Sequence, residues 1–436
     1  MKSQIVQRSF LRRQFSHIQT EGLPALWRKV LIVLKIMVTY PPKGGKLLIQ
    51  SLQYILLVLA ILVIRILKPL VFIRFGSIRS DVIGHSVFNP EYYLCEREIN
   101  NSKTIDCFYF RSSNHPNTQW TLMVQRHLRV GSYYRKFDSI NQKIPGWKRH
   151  YANLIPEGNG SRDLSGLFFR TKTHFQFTDE ENTRGNKFLN ELGLKPEDRF
   201  VCLIVRDSAY KEKYQKWNND WSYHDYRDSD IDTYEEAILK LANKGYWIFR
   251  MGKAVRKPLK VEHPRILDYA NTNHCSDFLD IWLFGNCYFT ISTGSGIDSV
   301  ADVFRKPVVY INYIPLTHLV SWSKTVSIPK KLYWLKKRRM LNVTEQLKNS
   351  YLRGQKYAEN GIQVVDLKPE EITDAVLEME SKLKGSWEEN DEDKMLQNIF
   401  WELLSNWPGY HKHHGSIHPE ARIGSMFLRE NTEWLN

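Results

Sequence analysis

The sequence predicts an α/β protein: two Rossmann-like domains facing a cleft, preceded by N-terminal membrane-directed helices. Three observations carry this reading. The 436 residues exceed what one ordinary core holds. Apolar runs of strand length alternate with helical patterns along most of the chain. Residues 287–312, CYFTISTGSGIDSVADVFRKPVVYIN, spell strand, glycine loop, helix and proline-led strand, which is the grammar of a parallel βαβ unit. The expected divisions are 1–69, 70–194, 195–385 and a C-terminal helix and tail at 386–436.

The N-terminal part is basic and then apolar. Residues 27–40, WRKVLIVLKIMVTY, read as a basic amphipathic helix that stops at Pro41-Pro42. Residues 47–64, LLIQSLQYILLVLAILVI, form a charge-free run at the lower limit for spanning a bilayer, closed by Arg65 and Lys68. A membrane span, an interfacial helix and a helix docked on the protein are all compatible with that run. Basic flanks on both sides favour the cytoplasmic leaflet, here expected to be the cytoplasmic face of the inner membrane.

In the first domain, residues 71–75 alternate into a strand, Gly76 permits a turn, and Arg79 and Asp81 sit in the following loop. A helix begins at Ile83-Gly84-His85, with Asn89-Pro90 expected to kink it or start it afresh. Residues 106–110 (DCFYF) are the next strand and 119–128 an amphipathic helix. The stretch 141–192, broken by Gly158, Gly160 and Gly166, reads as a loop-rich insertion.

The second domain opens with 199–205, RFVCLIV, a strongly apolar strand that delivers Arg206 at its end. Asp232 is placed to cap the helix running to Asn243. Residues 246–250 form a strand whose end presents Arg250, Gly252 and Lys253. Ser276-Asp277 caps the helix leading into the βαβ stretch, whose loop is Thr293-Gly294-Ser295-Gly296. Ligands in parallel sheets sit outside the carboxyl ends of the strands, so Arg206, Arg250, Lys253 and this loop fit one diphosphate. The polar aromatic cluster of Tyr223, His224, Asp225 and Arg227 reads equally as a sugar-binding surface or as a loop pinned to its own helix. The basic stretch up to Arg339 reads as a loop with short helical pieces, 360–366 as a last strand, 388–394 as an acidic linker and 395–407 as an amphipathic helix.

Composition narrows the function. Ample aromatic and aliphatic content excludes a disordered chain. The net charge of +15 calls for anionic partners. No nucleic-acid-binding signature accompanies it, so an anionic membrane surface and phosphorylated ligands are favoured and nucleic acid is not. The five cysteines, Cys95, Cys107, Cys202, Cys275 and Cys287, show no paired spacing and read as small core residues of a reducing compartment. The tail run His411, His413, His414 lacks a carboxylate or cysteine framework, so no metal is expected there.

The 287–312 stretch resembles the donor-binding half of GT-B glycosyltransferases. As a set, FGSIRSDVIGHSVFNPEYYL, VRDSAY, YHDYRDSDIDTY, YWIFRMGK, SDFLDIWLFGNCYFTISTGSG and IGSMFLRENTEWL resemble a family of bacterial glycosyltransferases, over most of 70–430. The resemblance implies transfer from a nucleotide-sugar donor to a surface-glycan or lipid-linked acceptor, with no bound metal and no cofactor beyond the co-substrate. It implies that Thr293, Gly294, Ser295 and Gly296 hold the pyrophosphate with Arg206, Arg250 and Lys253. If the reaction inverts the anomeric centre, a base from the first domain would deprotonate the acceptor, His85 first and Asp81 second. Where the GT-B pattern often carries a ribose-binding glutamate, this chain has Asp298, with Asp302 nearby. A sugar-nucleotide epimerase of the same fold and a non-catalytic scaffold of polysaccharide assembly are the rival readings.

Overall fold

The computed structural model describes residues 45–214 and 222–436. The expected helix at 27–40 lies outside the described residues. The chain divides into two compact units, each built on its own sheet.

The first unit takes, of the described residues, 45–81, Arg97–Asn114 and Val124–Leu154. Its sheet is parallel, in the order β1 (Ile73–Ile78), β2 (Ile105–Phe110) and β3 (Arg129–Val130). Gly76 lies inside β1 rather than in a turn. A methyl group there would overlap the carbonyl oxygen of Ala152, so glycine serves the close passage of a neighbouring backbone. Asp106 is buried between Arg74 and Arg97, each 2.7 Å away, which fixes the pairing of β1 with β2.

The helix Gly45–Ile66 packs one face of its second half on this sheet, through Val58 and Ile61 against Phe75, Cys107 and Ile140. Arg65 turns onto the protein and donates to Asn141 Oδ1 at 2.7 Å. The opposite face carries exposed Leu52, Leu56, Leu59, Val63 and Ile66, continued by Leu67, Leu70 and Val71. Among the described residues no helix is long and apolar enough to cross a membrane.

The second unit takes Val82–Glu96, His115–Met123 and Ile155–Asn436. Its core is a seven-stranded sheet built from β4 (Phe200–Ile204), β5 (Trp247–Arg250), β6 (Ile266–Leu267), β7 (Phe289–Ser292), β8 (Val308–Tyr313) and β9 (Thr325–Pro329), with one strand from the tail. A small antiparallel sheet follows, with β10 (Lys331–Trp334) between β11 (Arg339–Met340) and β12 (Ile362–Val365). The tail strand is β13 (Ala421–Ile423), which completes the large sheet in the order β13-β9-β8-β7-β4-β5-β6 with every pair parallel. Strands β4, β7 and β9 are buried at every residue, so both faces of the sheet are covered. This accounts for their continuous apolar runs.

Several expectations are corrected in this unit. The helix Ile83–Ile99 continues through Pro90 and does not start afresh there. The stretch 141–192 contains a regular helix, Asp179–Glu191, held by a capping box between Thr178 and Glu181. Asp230, not Asp232, caps the turn before Glu235–Asn243, while Asp232 pairs with Lys257 at 2.9 Å. The stretch after Pro315 holds one short helical turn, Leu316–His318, as expected, but then forms β9, β10 and β11 rather than a loop, its lysines masking the strand pattern. The acidic residues read as a linker instead open the helix Asp391–Ser405, capped by Asn390. Beyond it the tail folds back, contributing β13 and the fully buried Trp434.

Candidate functional site

The site is built on the carboxyl edge of the large sheet, where β4 and β7 lie side by side with Ile204 opposite Ser292. The chain leaves β4 at Arg206, whose backbone N–H donates to Thr293 Oγ1 at 2.9 Å, tying the two strand ends together. Gly294 and Gly296 both take positive φ, 76° and 87°, conformations open to glycine. A Cβ on Gly294 would also stand 2.8 Å from the Tyr313 ring. Gly296 meets Gly84 at the start of the helix Ile83–Ile99, where a Cβ on Gly84 would stand 3.4 Å from its Cα.

The backbone N–H groups of the loop already have a carboxylate. Asp298 Oδ2 accepts from Ser295 N at 3.0 Å and from Ser292 Oγ at 2.6 Å, and Oδ1 accepts from Gly296 N at 3.1 Å. Gly294 N donates to Ser292 Oγ at 3.0 Å. Burial pushes the Asp298 carboxyl up, and these donors hold it down. Asp298 therefore shapes the loop from inside. The helix that follows is only Ser299–Val303, one short turn. What remains open around the loop is side chains, not amides.

The side chains there are cationic. Arg227 Nη2 donates to the Gly294 carbonyl at 3.0 Å. Arg206 Nε reaches Asp228 Oδ1 at 3.2 Å, and burial, then the like charge of Arg227, lowers its pKa. Lys330 is almost wholly buried between the Asp228 carbonyl and Asp366 Oδ1, both at 2.6 Å. Arg250 and Lys253, expected beside Arg206, are committed to other partners. Arg250 is 1% exposed and donates to Asp268 at 3.0 Å. Lys253 pairs with Asp277 at 2.8 Å.

His85 lies in the second unit, on the helix that meets Gly296. Its Nδ1 is 2.5 Å from Ser161 Oγ, and Ser161 in turn donates to Asn89 Oδ1 at 2.9 Å. With the serine proton spent on Asn89, His85 Nδ1 is the donor and Nε2 is the basic nitrogen of the ring. Asp81 belongs to the first unit, exposed and paired with Arg79 at 3.2 Å. Tyr223 and His224 fall in the turn Ser222–Arg227, but their side chains lie outside the described residues. Asp225 is exposed, and Tyr226 packs on Tyr357 with ring centroids 5.5 Å apart.

Sequence reasoning missed further residues of this neighbourhood. The Tyr313 hydroxyl donates to the His318 carbonyl at 2.6 Å, and the His318 ring stacks on His413 at 5.4 Å. Arg162 follows Ser161 in the chain and acts electrostatically on Tyr313, His318, His413 and His414. These residues are scattered between positions 162 and 414, and no local pattern joins them.

Among the described residues one group of potential metal ligands occurs, Glu91, Cys95 and His174. The Arg305 guanidinium occupies it, 2.7 Å from Glu91 and 3.5 Å from Cys95 Sγ, and burial pushes the thiol up to about 12. A cation fits poorly beside that charge.

No family model matches the chain, and no curated protein matches it. Among solved structures, it is similar to a glycosyl transferase family 9 protein from Veillonella parvula DSM 2008, at 8% identity and TM-score 0.40, over 60% of this chain and 86% of that one. It is also similar to E. coli ADP-heptose lps heptosyltransferase II, at 12% identity and TM-score 0.35, over 59% and 90%. A third is an E. coli heptosyltransferase with ADP-2-deoxy-2-fluoro heptose, at 8% identity and TM-score 0.28, over 55% and 89%.

Proposed function

We propose that the protein is a glycosyltransferase that moves a sugar from a nucleotide-sugar donor to a surface-glycan or lipid-linked acceptor. The observation that carries this reading is the placement of Arg206 and Arg227 around the Thr293–Gly296 loop, at the carboxyl edge of a parallel sheet, with His85 on the adjoining helix start. That edge is where such sheets take their ligands. Guanidiniums there can stabilise the charge that develops on a departing diphosphate. In this proposal the donor belongs to the second unit. His85, its tautomer set by Ser161, takes the proton of the acceptor hydroxyl through Nε2, and Asp81 is the alternative base.

The reaction is proposed to need no bound metal. Support comes from the carboxylates beside the loop, since Asp298 is engaged by the loop amides and Asp228 by Arg206. We further propose that the protein works at the cytoplasmic face of the inner membrane. The apolar outer stripe of the helix Gly45–Ile66 and the basic residues that precede it support interfacial attachment.

A thermal-shift panel of nucleotide sugars tests the central claim, because a ligand that binds the native state raises its melting point. One or more should raise it, and Arg206→Gln should abolish the shift. Conversion of a single nucleotide sugar incubated alone would instead identify an epimerase. No shift with any donor would leave the scaffold reading. A His85→Ala enzyme with near-normal turnover would exclude that residue as the base.

A further inference from the structure

The neighbourhood of the loop holds more positive charge than its carboxylates neutralise. Arg206 has Asp228, and Lys330 has Asp366. Arg162 and Arg227, by contrast, hydrogen-bond only to carbonyls among the described residues, Asn159 at 3.2 Å and Gly294 at 3.0 Å, with Asp298 the one carboxylate that Arg227 acts on. Each guanidinium carries five N–H donors in a planar fork, and one such bond leaves most of the fork uncommitted. Both side chains are half-buried. The acid nearest Arg162 in sequence, Asp163, is turned away and accepts from Phe168 N at 2.7 Å and Ser165 N at 3.2 Å.

Arg227 faces the Asp298 carboxylate, which the loop amides already engage, and no carboxylate balances Arg162, so drawing both cations out of water is unfavourable. A chain that keeps them together has a use for an anion between them. Around them stand polar atoms with unused capacity. Ser295 Oγ and His413 Nδ1 are shielded from solvent and have no hydrogen-bond partner. The contacts run continuously from Arg227 on the Gly294 carbonyl, to the Tyr313 ring against Gly294, to His318 under the Tyr313 hydroxyl, and to His413 stacked on His318. Arg162 acts on the last three of these from the side of Ser161.

We propose that Arg162 and Arg227, together with the imidazoles of His318 and His413, form a binding site for a phosphate-type oxyanion in the second unit. Arginine forks match the tetrahedral oxygens of phosphate, and neutral imidazoles add N–H donors at the rim. The site supplies the anion contacts that the loop amides cannot make while Asp298 occupies them. If the donor reading above holds, the anion is the diphosphate of the nucleotide sugar; the site itself does not depend on that reading.

The test is isothermal titration of the full chain with inorganic pyrophosphate and with inorganic phosphate, neither of which carries a nucleoside or a sugar. Pyrophosphate should bind, and the affinity should fall with added salt. Arg162→Gln should weaken it about 10–100-fold, the loss expected when a charged hydrogen-bonding partner is removed. Arg162→Lys should recover part of the loss, and the exposed Lys394→Ala should leave binding unchanged. Should Arg162→Gln fail to fold, protection of Arg162 and Arg227 from phenylglyoxal by pyrophosphate on the unaltered protein gives the same answer. No binding of pyrophosphate at millimolar concentration, equal binding by Arg162→Gln, or labelling of both arginines unaffected by pyrophosphate would overturn the proposal. Pyrophosphate binding without a response to any nucleotide sugar would keep this site and remove the glycosyltransferase reading.

Discussion

The two most depressed histidines make acid stability a sharp test of how this site is packed. Burial, then the charges of Arg162, His413, Arg227 and His414, bring His318 down to about 3. Burial, His413 and Arg162 bring His414 to about 3 as well. In an unfolded chain either ring titrates near ~6.5. Between those values the unfolded state holds a proton that the folded state does not, so stability rises with pH in this window. The neutral imidazoles therefore cost nothing above about pH 6.5 and weaken the fold progressively as pH falls toward 3. From about pH 7.5 to about pH 5 each ring should account for about 2 kcal/mol of lost stability, from 1.36 kcal/mol per unit of proton linkage.

The raw profile of the protein mixes signs and cannot be read directly. Burial raises Asp280 to about 7 and Asp302 to about 6, and such carboxyls stabilise the fold as pH falls below those values. The informative quantity is the difference between the unaltered protein and the His318→Gln, His414→Gln double variant. Denaturant unfolding, followed by hydrogen exchange of the β4 and β7 amides, should show the variant losing up to about 4 kcal/mol less over that interval. A variant that tracks the unaltered protein within about 0.5 kcal/mol would refute the packing of these rings beside the guanidiniums. Saturating pyrophosphate should flatten the slope of the unaltered protein, since an anion beside the imidazoles lifts their pKa.

Other perturbations bear on the same unit and its neighbour. Arg305→Met strips the counter-charge from the wholly buried Glu91 and should cost about 3–5 kcal/mol in denaturant unfolding, with much of it recovered in Glu91→Gln, Arg305→Met. Asp298→Asn keeps one acceptor and loses the other, so it should lower stability by about 1–3 kcal/mol and speed exchange of the Ser295 and Gly296 amides. If it instead leaves exchange unchanged and raises only the KM of a donor, Asp298 faces the ligand. Gly76→Ala should destabilise the first unit by about 1–3 kcal/mol or more, because the added methyl meets a backbone oxygen rather than a mobile side chain. Leu56→Glu, Val63→Glu should release the protein from anionic vesicles without lowering its melting point, as both positions are exposed.

Much of the fold was legible because its central strands are buried on both faces and therefore read as unbroken apolar runs. RFVCLIV became β4 and the run before the glycine loop became β7. The same signal fails where a strand edge carries lysines. In the basic stretch between Pro315 and Arg339, Lys330, Lys331 and Arg339 hide the alternation of β9, β10 and β11, yet Lys330 is buried against Asp366 and Lys331 pairs with Glu371. The helix Asp179–Glu191 was missed although Thr178 and Glu181 spell its capping box. Its glycine at 185 packs on Trp282, where a side chain would overlap the indole. At Pro90 the helix continues instead of starting afresh, and the Ser86 carbonyl that the proline leaves free accepts from the Trp120 indole N–H at 2.8 Å.

The site divides in the same way. A loop motif is local, so Thr293–Gly296 could be found from the sequence, but its occupant could not. Asp298 lies within the motif's own reach and turns back to take the amides that the motif was expected to offer. Once those donors are used, an anion at this sheet edge must be held by side chains. The candidates then come from positions 162, 227, 318 and 413, which only the folded chain brings together. The arginines first singled out fell short for a related reason. Arg250 ends a strand, as expected, but it sits in register with Leu203 and is buried with Asp268 before the open edge is reached. Arg206 and Arg227 leave the sheet later and meet the loop itself, so the end of a strand marks the edge but not which cations remain available there.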